Sequence, residues 1–363
     1  MEKYNVIGTM SGTSLDGLDI ADCTFTLNEG KWAYKINHAQ TFKYPTEVKN
    51  ALISCRNFNS LDFLSFHNSY GCYIGKKINA FAKSNKSEFN LIASHGHTVF
   101  HMPERRLTYQ IGNGAYIASE TGITTISDFR TFDVALGGQG APLVPIGDEL
   151  LFHNYQYCLN LGGFSNVSYR EKNIRKAFDI CPVNIVINHY TQMLGKEFDK
   201  NGNIAKKGKI NEVLLSELNQ LEFYRKKNPK SLGKEWLDEI FIPLINQYEI
   251  SIADKMRTIY EHISIQIANV LKGGNTLVTG GGAYNSFLIK LIQEKATSEI
   301  IIPDKKTIEF KEALIFAFLG VLRYRNEINC LSSVTGAKRN NIGGVIHLLP
   351  HMLTEFRKLS NLL

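Results

Sequence analysis

The sequence predicts an α/β protein built from two related lobes. Three observations carry this. Residues 4–42 read as strand, glycine-rich polar loop, strand, turn, strand. Residues 157–179 repeat that order of elements. Outside the copies, stretches with helical periodicity alternate with short apolar strands.

In chain order, Tyr4 to Gly8 predicts a strand and Gly8 to Gly17 a loop rich in Gly, Ser and Thr. Leu18 to Leu27 resumes strand character, Asn28-Glu29-Gly30 signals a turn, and Trp32 to Phe42 alternates as a third strand. Val48 to Lys83 has helical character. Leu91 to Ser94 predicts a short strand leading into His95-Gly96-His97-Thr98. A helix end is expected at Ile117 to Gly122, a short strand at Thr124 to Ile126, and a loop at Gly137 to Pro142. The second copy runs through a strand at Tyr157 to Leu161, the Gly162-Gly163 loop, a strand at Val167 to Tyr169, a turn, and a strand at Ile174 to Phe178 ending at Asp179. Ala205 to Asn228 is lysine-rich and expected to be an exposed excursion. Ile252, Met256, Ile259, Ile263, Ile267 and Val270 form one helical stripe, stopped by Gly273-Gly274. A strand at Thr276 to Val278 then feeds Gly280-Gly281-Gly282 and a helix from Ser286. Glu312 is expected to open an apolar helix over Ala313 to Leu322. Domains are expected at 1–131 and 132–349, with residues 350–363 packing back on the first.

Composition narrows the function. With 363 residues, 44% hydrophobic and 21% charged, the chain can bury sizeable cores. Its formal charge of +7 is spread among acids rather than gathered into a stripe with interleaved aromatics, so nucleic acid is not an expected partner. The excess suits an anionic small molecule. No pair of the six cysteines has C-x-x-C spacing, which argues against a zinc knuckle or a dithiol redox site. No stretch is long and apolar enough for a membrane span, and MEKYNVIG is no signal segment. A reducing cytoplasm is the expected location.

The chemistry gathers in the loops. Between Gly8 and Gly17, small residues allow backbone N–H groups close to a phosphate, and Ser11, Thr13 and Ser14 add hydroxyls. The loop lacks both the G-K-[ST] ending of a P-loop and the G-x-G-x-x-G dinucleotide pattern. Three glycine loops, each after a strand, say more together than any one. Asp179 reads either as a general base at a strand end or as a turn cap ahead of Pro182; residue chemistry leaves both open. His95 and His97 suit hydrogen bonding to a polar ligand or to backbone better than a metal. Asp128 and Arg130 form a salt-linked pair, or Arg130 grips a carboxylate. Gln139 faces a sugar hydroxyl or braces its loop. Glu312 fits a helix N-terminus electrostatically.

Taken in order, these motifs resemble the anhydro-N-acetylmuramic acid kinases. The resemblance rests on Ile7-Gly-Thr-Met-Ser-Gly-Thr-Ser-Leu-Asp-Gly-Leu-Asp19, Ser94-His-Gly-His-Thr98, Gln110-Ile-Gly112, Asp128-Phe-Arg130 and Gly137-Gly-Gln-Gly-Ala-Pro-Leu-Val-Pro145. It continues through Leu159-Asn-Leu-Gly-Gly163 with Asn166, Gly280-Gly-Gly-Ala-Tyr-Asn285, Lys311 to Ala317 and Ser333-Val-Thr-Gly-Ala337.

The resemblance implies two ribonuclease H-like domains, as in actin and hexokinase, with an interdomain cleft for ATP and Mg²⁺. Gly12, Thr13, Ser14, Leu15, Asp16, Gly17, Leu18 and Asp19 would hold phosphates, with Gly162, Gly163 and Asn166. Gly280, Gly281, Gly282 and Asn285 would cup the adenosine. Asp179 would be the base, His95, His97, Asp128, Arg130 and Gln139 would meet the sugar, and Glu312 would be the candidate metal ligand. The implied reaction opens a 1,6-anhydro sugar with water and phosphorylates the released O6. A bridged sugar has no C6 hydroxyl to deprotonate, so a water-activating base fits. A homodimer is implied. Where the family reads D-T-G-P-x-N, this chain has Asp179-Ile180-Cys181-Pro182-Val183-Asn184. That departure motivates two alternatives: a non-catalytic sensor on the same fold, or a kinase for another amino sugar.

Overall fold

The computed structural model describes residues 1–226 and 230–349. The chain forms two compact units. One comprises Met1–Leu151 and the described chain from Phe310 onward, the other Phe152–Glu309. The sequence reading placed this division at 131/132. Residues 350–363, expected to pack on the first unit, lie outside the described residues.

The first unit opens with an antiparallel meander of β1 (Glu2–Ser11), β2 (Leu18–Asn28) and β3 (Lys31–Phe42). β4 (Leu91–Met102) lies parallel to β1, and β5 (Leu107–Ile111) folds back on β4. β6 (Thr125–Ser127) is parallel to β4. The second unit repeats the plan. β7 (Tyr157–Leu161), β8 (Phe164–Glu171) and β9 (Ile174–Pro182) form the meander. β10 (Asn275–Thr279) is parallel to β7 and β11 (Glu299–Ile301) to β10. β12 (Val345–His347) closes the first sheet against β6. The sheet orders are therefore β12-β6-β4-β1-β2-β3 and β11-β10-β7-β8-β9. In each, three antiparallel strands are flanked by parallel strands on the side of the first. This is the ribonuclease H-like arrangement, present twice.

β1 runs three residues past the expected strand end. Gly8 sits inside it because a helix crosses there: an added Cβ would stand 2.0 Å from the Ala313 carbonyl oxygen. That helix, Lys305–Tyr324, starts well before Glu312. Glu312 is therefore interior to the helix, which corrects its expected place at an N-terminus. Gly320 likewise lets the helix approach Ala93. The predicted helix over Val48–Lys83 is broken into Thr46–Ser54 and Ser60–Asn85; Asn59 caps the second through the Asp62 amide at 2.9 Å. In the second unit the helix Ile252–Val270 forms where its stripe predicts, capped by Ser251. Met256, Ile259, Ile263 and Ile267 are fully buried, and each contributes roughly 1.5–3 kcal/mol of burial free energy. The lysine-rich excursion is more structured than expected. Its helix Glu212–Gln220 buries Leu214, Leu215 and Leu218.

Candidate active site

In the first unit the glycine loop leaves β1 at Ser11 and returns at Leu18. Ser11 is buried, and a polar cluster fixes it. Its Oγ lies 2.6 Å from the Tyr44 hydroxyl and 3.0 Å from His97 Nδ1, and the Tyr70 hydroxyl donates to it at 2.9 Å. Burial lowers the His97 pKa, so the ring stays neutral and serves as a hydrogen-bonding brace. Leu15 takes φ +59, a left-handed conformation that turns the loop. Gly17 packs on β3, where a Cβ would meet the Phe42 carbonyl oxygen at 2.6 Å. At Gly12 a Cβ would meet nothing nearer than 3.6 Å, and Thr13, Ser14 and Asp16 are exposed. Asp19, one residue into β2, accepts from the Thr41 hydroxyl at 2.5 Å.

His95 and His97 lie within β4 rather than on a turn, and they serve different partners. Gly96 between them has φ +73. His95 Nε2 accepts from Arg130 Nε at 2.9 Å, so its proton sits on Nδ1, which donates to the Gly96 carbonyl at 2.9 Å. Both ring nitrogens are thus committed within the protein. Burial and then the Arg130 charge push its pKa well down. Arg130 also donates to the Gly140 carbonyl at 2.7 Å, and burial lowers it to about 10. Its side-chain hydrogen bonds go to His95 and Gly140 rather than to Asp128. Asp128, at φ +57, accepts from the Thr131 amide at 3.3 Å. Asp128, His95, His67, Tyr109, Gln110, Asn113 and His347 help line a cavity of about 190 Å³ within this unit.

The loop Gly137 to Pro142 is held by a residue the sequence did not single out. Asp133 is fully buried. It accepts from the Gly140 amide (2.8 Å), the Thr335 hydroxyl (2.9 Å), Asn341 Nδ2 (2.8 Å) and the Cys330 thiol (3.0 Å). Three of its four partners lie some two hundred residues away, so no local pattern announces it. Gln139 remains exposed. Glu312 is exposed too. The protein mass around it raises its carboxyl above the usual range, while Arg130 and Lys311 pull it back. Among the described residues no group of three or more His, Cys, Asp or Glu could hold a metal ion.

In the second unit the glycine loops lie side by side, because β7 and β10 are parallel neighbours that end together. Gly280, at φ +82, presses on β7: a Cβ would stand 2.4 Å from Asn160 Oδ1 and 2.8 Å from the Leu161 backbone. The carbonyls of Gly162 and Gly163 accept from the amides of Asn184, Val183 and Ile185, which seats the helix Asn184–Gln192 against this loop. Gly163 and Gly281 have open space, with nothing nearer than 3.7 Å to an added Cβ. Asn285 also has a task within the fold. Its Oδ1 caps the next helix through the Leu288 amide at 3.2 Å, and its Nδ2 donates to Tyr260 at 2.7 Å.

Asp179 is half-buried on β9 opposite Asn166, which is exposed on β8. The ladder shifts between Ser165 and Asn166, so Ile180 is the extra residue of a bulge. Ile180 and Cys181 both turn into the core, where the Ser165 hydroxyl donates to the Cys181 carbonyl at 3.0 Å. Asp179 is left facing outward. Burial raises its pKa; the Leu232 amide, donating to Oδ2 at 2.9 Å, and the Ser231 hydroxyl lower it.

Glycine loops with room for a ligand, and a half-buried carboxylate at the β9 bulge rather than at the strand end the sequence suggested, suit this duplicated fold to a sugar kinase. Comparison with known proteins makes that particular. The model of the anhydro-N-acetylmuramic acid kinase family matches residues 4–348. Curated kinases of that name from Mannheimia succiniciproducens (35% identical, covering 95% of this chain and 99% of theirs), Hydrogenovibrio crunogenus (32%, 94% and 97%) and Clostridioides difficile (33%, 94% and 97%) are similar over nearly their whole lengths. The chain belongs to the anhydro-N-acetylmuramic acid kinase family.

Proposed function

We propose that this protein uses ATP to convert 1,6-anhydro-N-acetylmuramic acid into its 6-phosphate, as a step in peptidoglycan recycling. The observation that carries the proposal is Asp179, a half-buried carboxylate that accepts from the Leu232 amide and lies on the sheet whose strands β7 and β10 lead into the glycine loops. Asp179 takes a proton from water as the water oxygen attacks C1. The C1–O6 bond breaks, and O6 accepts the γ-phosphoryl group, releasing ADP. The open backbones at Gly12, Gly163 and Gly281 support phosphate and nucleotide binding. Mg²⁺ carried on the phosphates would neutralise charge there; such an ion needs only one or two protein carboxylates. Asp16, Asp19 and Glu312 are the acids we propose within reach of that role. His97, Asp128 and Gln139 are proposed to meet the sugar, with Arg130 and His95 shaping the wall behind them.

The Ile180-Cys181 departure, which motivates a non-catalytic sensor, concerns two core side chains, so it leaves the carboxylate in place. We propose the cytoplasm as location, supported by six cysteines none of which is in a disulfide, and a homodimer as assembly, on family grounds. No helix among the described residues is long and apolar enough to cross a membrane. The test incubates purified protein with Mg-ATP and a panel of amino sugars with and without the anhydro bridge. Stoichiometric ADP and a 6-phosphate product from the bridged sugar alone are expected. Tight binding without turnover would favour the sensor, and turnover of unbridged sugars alone would favour another kinase.

A further inference from the structure

We propose, on the reading of Gly280–Asn285 as the loop that cups adenosine, that Asp199 is a positioning residue for ATP. It acts through the Tyr260 hydroxyl on Asn285 and so holds that loop in the shape that receives the nucleotide. Asp199 belongs to the stretch Phe198-Asp199-Lys200-Asn201-Gly202, which the proposed reaction leaves without a task. Its carboxylate is buried and receives three donors: the Ile204 amide at 2.8 Å, the Ala205 amide at 3.2 Å and the Tyr260 hydroxyl at 3.1 Å. The two amides belong to its own turn. Tyr260 comes from the helix Ile252–Val270 and is fully buried. Its hydroxyl oxygen in turn accepts from Asn285 Nδ2 at 2.7 Å. Gly202, at φ +68, serves the same neighbourhood. A Cβ there would stand 2.5 Å from Phe287, the second residue of the helix Ser286–Lys295 that Asn285 caps.

Chemistry fixes the polarity of this relay. A hydroxyl has one proton to give, and a carboxylate only accepts. The Tyr260 proton therefore points at Asp199, and a lone pair is left facing Asn285. Only the NH₂ end of the Asn285 amide can answer a lone pair, so its Oδ1 is turned to the Leu288 amide, which it caps at 3.2 Å. Asn285 is thereby held in one orientation. Its backbone amide closes the loop by donating to the Gly282 carbonyl at 3.0 Å. At the other end Gly280 presses on Asn160 and Leu161. Gly281 stands open between two fixed ends, so a nucleotide meets a loop that is already ordered and loses less entropy on binding.

The experiment titrates ATP against wild type, Tyr260→Phe, Asp199→Asn, Asn285→Asp and the Tyr260→Phe/Asp199→Asn double variant, well below their melting temperatures. Steady-state rates with Mg-ATP and the anhydro sugar accompany it. Tyr260→Phe keeps the ring and the Asp199 turn and removes the link between them. Asp199→Asn lets an amide donate to Tyr260 and so unsets the polarity. Asn285→Asp keeps the cap oxygen and removes the donor; Asn285 is half-buried, so this variant keeps the test open if a core variant does not fold. Each single variant is expected to raise the Kd and KM for ATP about five- to tenfold, as loss of one buried hydrogen bond implies, with kcat and the sugar KM within about twofold. In the Tyr260→Phe background Asp199→Asn should weaken ATP no further, because both cut one link. Lower melting temperatures with an unchanged Kd for ATP would overturn the relay, and so would losses that add in the double variant. A wild type that binds no ATP would instead overturn the kinase reading beneath it.

Discussion

The two sheets place an acid at matching positions but on different strands. One residue before the first strand ends, Met10 pairs with Asp19 of β2, which pairs with Thr41 of β3. In the second sheet the same place runs Asn160, Asn166 and then Asp179 of β9. The acid sits on the middle strand in one unit and on the outer strand in the other. Asp19 is answered from within its sheet, by Thr41. Asp179 is answered by a segment inserted between β9 and the helix Ile252–Val270. A duplicated fold thus supplies two equivalent places, each with a half-buried acid, and only in the second does an inserted segment reach the carboxylate from outside the sheet.

The sharpest way to break this comparison is to neutralise each acid in turn. Asp179→Asn is expected to lower kcat by about 10² to 10⁴ with the melting temperature little changed, the loss typical of a positioned proton transfer. Asp19→Asn should act mainly on the KM for ATP. Equal losses of kcat in both would mean that the two places do the same work.

The glycine loops give the next largest effect. Gly280 has positive φ and meets Asn160 and Leu161, whereas Gly281 has open space. Gly280→Ala should destabilise the second unit by roughly 2–4 kcal/mol, from left-handed backbone strain plus overpacking. Gly281→Ala should leave stability within about 0.5 kcal/mol. If Gly281→Ala nonetheless weakens ATP binding, that loss reports on the nucleotide alone. Thermal unfolding and nucleotide titration of both variants read it. A smaller effect is expected in the first unit. Ser11→Ala removes the oxygen that Tyr44, Tyr70 and His97 share, costing about 1–2 kcal/mol.

Much of this was legible in the sequence, for physical reasons. Strand alternation, turn residues and the helical stripe from Ile252 are local signals, and the duplicated meanders and that helix formed where they fell. The glycine loops declared themselves by composition. What stayed hidden depends on distant partners. Gly8 reads as loop until the helix at Ala313 crosses it. His95 and His97 read as a pair until Gly96, at positive φ, turns one toward Arg130 and the other toward Ser11. Glu312 reads as a helix start because the apolar run begins beside it, yet the helix begins at Lys305. Asp133 carries no clear local mark, since its partners Cys330, Thr335 and Asn341 lie some two hundred residues away.

A last expected effect separates the units by acid. Burial holds His262 down to about 3 in the second unit and lowers His95 and His97 in the first. Above pH 6.5 each ring is neutral both folded and unfolded. As pH falls below 6.5 the unfolded chain takes up protons that the folded chain refuses, so stability falls with pH. For His262 that loss continues down to about pH 3. The slope is at most about 1.4 kcal/mol per pH unit for each histidine. His262 is held at Nδ1 by Asn219 (2.7 Å) and at Nε2 by Tyr224 (2.9 Å). His262→Gln should therefore lower stability at pH 8 yet flatten the fall between pH 6.5 and 5. Chemical denaturation across that range checks it, and a slope identical to wild type would mean that His262 is not the group that resists protonation.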